Sequence, residues 1–103
     1  MATAFTINPS VKVCFLDTSI DALTLSLGTG GANRNNVLHI IMIKGSSTAS
    51  LQSAPSVVNL TTGAGHGSAT TITWDEVGDS LTLMWDVQSK KWNIISYYGV
   101  GFS

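Results

Sequence analysis

Three groups of residues in this chain have types and spacings that could do chemistry. They are the glycine-rich run Gly63-Ala64-Gly65-His66-Gly67-Ser68, the acids Asp75, Glu76 and Asp79, and the aromatics Trp74, Trp85, Trp92, Tyr97 and Tyr98. A glycine loop cradles phosphate when its amides open a helix, because the helix end aims several N–H groups at one anion. Here the run leads into β-branched Thr70-Thr71-Ile72-Thr73, so it reads as a surface loop. His66 lies in that loop and His39 in an apolar stretch, without the spacing of metal ligands. The three acids flank Val77-Gly78. They could hold a cation weakly, but acids at such a place more often bond the amides of the turn itself. The single Glu and scattered Asp residues form no evident catalytic pair, and the many serines have no base held by a third group. Cys14, between Val13 and Phe15, reads as a small apolar filler and has no partner for a disulfide. Aromatic rings can stack on sugars, yet Trp85 and Trp92 flank one hairpin, where they are expected as diagonal neighbours packing across strands. No catalytic, cofactor-binding or metal-binding residue is assigned, and the chain is expected not to be an enzyme.

What remains is a question of surface. Of 103 residues, 44% are hydrophobic and only 11% charged, about half the share of charge in an ordinary globular chain. A domain this small buries roughly 60–70% of its unfolded surface, so apolar side chains outnumber the places to hide them. Other copies or a larger partner are expected to cover the remainder. The net charge of −1, with cations scattered over Lys12, Arg34, Lys44, Lys90 and Lys91, leaves no footprint for nucleic acid. The longest apolar run, Val37 to Ile43, is one strand long, well short of the ~18 residues of a membrane helix. No basic segment followed by an apolar core opens the chain, so synthesis and assembly in a cytoplasm are expected.

The elements that must position these residues are strands. Leu23-Thr24-Leu25-Ser26-Leu27 and Leu81-Thr82-Leu83-Met84-Trp85 alternate with period two. Strands are predicted at about Val11 to Leu16, Ala22 to Leu27, Val37 to Ile43, Val57 to Leu60, Thr70 to Trp74, Leu81 to Val87 and Trp92 to Tyr97. Short connections favour a single antiparallel β-sandwich over residues 11–103, jelly-roll-like and with very little helix. Residues 1–10 are read as an arm or an edge strand, since Pro9 cannot donate to a ladder. Leu25, Leu83, Trp85, Trp92 and Ile94 are expected in the core. The near-continuous apolarity of Val37 to Ile43 suggests burial on both faces, one against the core and one against a neighbouring copy.

The ending Gly78-Asp79-Ser80-Leu81-Thr82-Leu83-Met84-Trp85-Asp86, followed by Trp92-Asn93-Ile94-Ile95, resembles a small β-rich module of bacteriophage virion proteins. Leu23 to Leu27 and the apolar strand closing on Lys44 belong to the same pattern, which covers roughly residues 17 to 96. The module occurs in capsid decoration (cement) proteins and in tail fibres. It commonly joins its last strands through an Asp-Gly turn, whereas a longer connection follows Asp86 here. The resemblance implies a structural protein on the capsid surface, a homotrimer that binds the major capsid protein and stabilises the shell. A lone small domain opening on Met, without a repetitive stalk, points the same way. The alternative it implies is a receptor-binding tip of a tail fibre or tailspike, recognising a host glycan or surface protein. Phe5, Thr6, Ile7, Asn8 and Pro9 are expected to form a capsid-docking arm. Ile40, Met42, Tyr97, Tyr98 and Phe102 are expected at the trimer interface.

Overall fold

The period-two stretches become strands, and the chain lays them alternately in two sheets. The computed structural model describes residues 3–8, 12–28, 36–52, 54–60 and 69–103. The strands are β1 (Thr3–Ile7), β2 (Val13–Thr18), β3 (Leu23–Leu27), β4 (Val37–Gly45), β5 (Ala49–Leu51), β6 (Val58–Asn59), β7 (Ile72–Trp74), β8 (Ser80–Asp86), β9 (Lys91–Tyr98) and β10 (Gly101–Phe102). One 3-10 turn, Ala54–Ser56, precedes β6, and no α-helix occurs among the described residues. The first sheet runs β1-β3-β5-β7-β10 and the second β2-β4-β8-β9-β6.

Both sheets are mixed, which corrects the expectation of antiparallel pairing. From β1 to β5 successive strands fall in opposite sheets, so strands two apart in sequence become neighbours running the same way. Thus β1 pairs with β3, β3 with β5, and β2 with β4, all in parallel. A parallel pair needs a long return path. Here the intervening strand of the other sheet supplies it. Antiparallel pairing enters with β4–β8, β5–β7, β7–β10 and the β8–β9 hairpin.

The side chains between the sheets form one core, built from Leu23, Leu25 and Leu27 of the first sheet and Leu16, Leu38, Leu81 and Leu83 of the second, among others. Trp85, Trp92 and Ile94 lie in it too. Trp85 and Trp92 are direct register partners rather than diagonal neighbours, with ring centroids 5.3 Å apart in an edge-on arrangement. Two indoles also tie the sheets together through polar bonds. Trp74 Nε1 of β7 donates to the Ile40 carbonyl of β4 at 3.2 Å, and Trp92 Nε1 of β9 donates to the Gly28 carbonyl, just beyond β3, at 3.0 Å. A buried indole N–H is costly without such an acceptor.

The docking-arm assignment does not survive the register. Phe5, Thr6 and Ile7 belong to β1, paired residue for residue with Leu25, Ser26 and Leu27, and the Ile7 side chain is buried in the core. Asn8 follows the strand, and Pro9 lies outside the described residues. Ile7 carries the anchor: an apolar side chain that fits the core gains more by burial than a free arm would by mobility. The segment is therefore an edge strand of the domain's own sheet.

Candidate functional site

Alternation along each strand gives each sheet an outer face, and the two faces differ in chemistry. On the first sheet Ala4, Thr24, Ser50, Thr73 and Gly101 register side by side, with Thr6 beside Ser26. That face is made of small and hydroxylated side chains. On the second sheet the outward row runs Phe15, Ile41, Ser80, Tyr98, and the next runs Val13, His39, Thr82, Ser96. Val37 and Met84 form part of a third row with Asn93.

Several side chains of this face remain in contact with solvent although they are bulky and largely apolar. Phe15 is 59% exposed, Val13 42%, Ile43 45% and Tyr98 73%. A register shift between Thr82 and Leu83 leaves Ile95 without an opposite residue on β8, and it too is 55% exposed. The bulge changes which side chains β9 presents, as bulges do at functional edges. Charge is confined to the ends. Asp17 registers with Lys44 at one end and Asp86 with Lys91 at the other. Between them lies His39, sharing a 3.0 Å hydrogen bond between its Nδ1 and Thr82 Oγ1. Such an arrangement can exclude water against a second surface.

The expected trimer-interface residues fall in different places. Ile40 and Met42 are buried in this chain's own core, at 0% and 1% exposure, and so are withdrawn from any interface. The strand expected to be buried on both faces is buried on one: Leu38, Ile40 and Met42 point inward, and Ile41 and Ile43 outward. Tyr97 and Phe102 stack edge-on at 5.0 Å, joining β9 to β10 at one end of the core. Tyr98 alone of the five stands fully on the outer face. Val13, Phe15, Ile43 and Ile95 were missed, and their signal was apolar residues at both parities of a strand.

The acidic group proves to be a structural turn. Asp79 is 4% exposed, and its Oδ2 accepts hydrogen bonds from the amides of Asp75 and Glu76, both at 3.0 Å. Gly99, in a left-handed conformation at φ +75°, lies against the Asp79 carboxyl so closely that any side chain there would collide with it. A hydrogen bond to Asp79 pushes the Asp75 carboxyl above its ordinary pKa, with desolvation and the neighbouring acids adding to it. Among the described residues no group of three His, Cys, Asp or Glu side chains could hold a metal ion. Cys14 is buried, and desolvation raises its thiol pKa. The glycine run and His66 lie outside the described residues. No known protein family, curated protein or solved structure matches the chain.

Proposed function

We propose that this chain is a structural virion protein without catalytic activity, a bacteriophage capsid decoration protein that works as a homotrimer on the outer surface of the shell. The observation that carries the assembly half of this reading is the outer face of the second sheet, where β2, β4 and β9 expose Val13, Phe15, Ile43, Ile95 and Tyr98 with little charge among them. A monomer would keep that face in water, at a cost that association relieves. The virion half rests on the resemblance of Gly78 to Asp86 and Trp92 to Ile95 to the phage module. Its partners would be its own copies and the major capsid protein, with no cofactor required.

The test is sedimentation of purified protein with undecorated capsids and, separately, with host cells. The reading expects saturable binding to capsids and none to cells. Binding to cells alone would favour the receptor tip of a tail fibre or tailspike, with a host glycan or surface protein as its ligand.

A further inference from the structure

We infer that copies of this chain meet one another through the outer face of the second sheet, around Val13, Phe15, Ile43, Ile95 and Tyr98, and that this face is a subunit interface rather than the contact with the shell. The inference rests on the proposed homotrimer and says which surface builds it. Area is the first argument. At their exposures these five side chains present on the order of 500 Å², since a large side chain carries about 150–250 Å². The interleaved His39, Thr82, Ser80 and Ser96 extend this toward the ~800 Å² that each partner contributes to a standard interface.

Charge is the second. Each end of the face holds one acid and one base, Asp17 with Lys44 and Asp86 with Lys91. In a closed trimer the faces of two neighbours meet it, so opposite as well as like charges come together at its rim, and none at its centre. A partner selected by electrostatics would leave a one-signed patch, which these strands lack. Side-chain size is the third. β2, β4 and β9 present Val13, Phe15, Ile43, Ile95 and Tyr98 on this face, whereas the outer face of the first sheet carries Ala4, Gly101 and small hydroxylated side chains.

Light scattering on the full chain distinguishes the outcomes, using Phe15→Glu and Ile43→Lys on this face and Ser26→Lys on the other. All three positions are exposed, and circular dichroism reports whether each variant keeps its fold. The inference expects a trimer for the wild type and for Ser26→Lys, and about a threefold fall in mass for folded Phe15→Glu and Ile43→Lys. Trimers that persist in both face variants would overturn the interface and leave the trimer standing. A wild-type monomer of 10.8 kDa at micromolar concentration would overturn it as well. If that monomer still coated capsids through Phe15, the shell would be the occupant and the decoration reading would survive; if it coated nothing, both would fall.

Discussion

Asp75 and Asp86 titrate in opposite senses because their neighbours differ. The Asp86 carboxylate accepts from Ser89 Oγ at 2.9 Å and from the Gln88 amide at 3.0 Å, and these bonds hold its pKa below the ordinary value. A depressed folded pKa means stability that is present above the unfolded value, near 3.9, and lost as pH falls through the folded one. Asp75 has a raised folded pKa, so its contribution is complete in acid and is lost as pH rises through that value. Asp75→Asn donates to Asp79 without needing a proton. Thermal melts between pH 3 and 8 should show the variant at least as stable as wild type at neutral pH, with a flatter decline above the acid range. A neutral-pH melting temperature well below wild type would show that the Asp75–Asp79 bond is not what shifts the group. Lys90, which closes the β8–β9 loop at φ 57°, gives a second test. Lys90→Val should cost about 1–2 kcal/mol in denaturant unfolding, since β-branched residues resist the left-handed region, while Lys90→Gly should cost almost nothing.

At the scale of elements, much of the strand pattern was legible, and the β8–β9 hairpin with it, while the rest of the pairing was not. Leu23, Leu25 and Leu27 announce β3 through alternation alone, and Leu81, Leu83 and Trp85 announce β8. Alternation says which residues share a face, but nothing about which sheet a strand joins. A short connection such as that between β2 and β3 can turn within a sheet or arch across to the other, and the arches here produce the parallel pairs. β5 and β10, three and two residues long, carry too little pattern to be read. In β4 every residue from Val37 to Ile43 except His39 is apolar, so parity carries no signal and the strand's inward side could not be fixed. Two predictions follow from the elements as they stand. Removing residues 2–10 takes Ile7 from the core and should destabilise the fold by at least ~2 kcal/mol, read as a lowered denaturation midpoint. An unchanged midpoint would mean that β1 is a free arm after all. Trp74→Phe keeps the apolar volume but loses the bond to the Ile40 carbonyl, and should cost about 1–3 kcal/mol; a cost near zero would remove that bond from the ties between the sheets.

At the scale of the molecule, the low charge visible in the composition has a location. It is not spread evenly, because the hydroxylated face of the first sheet is well suited to water, whereas the outer face of the second is not. The composition could say that apolar surface was in excess, but only the register of β2, β4, β8 and β9 says where it lies. The account's central claim is that other copies of the chain cover that face. Small-angle X-ray scattering of the wild-type protein in dilute buffer tests it most directly. The account predicts forward scattering about threefold that of a 10.8 kDa chain, with a radius of gyration well above the 12.6 Å of one subunit. Forward scattering of a single chain, with a radius near 12.6 Å across micromolar concentrations, would contradict it.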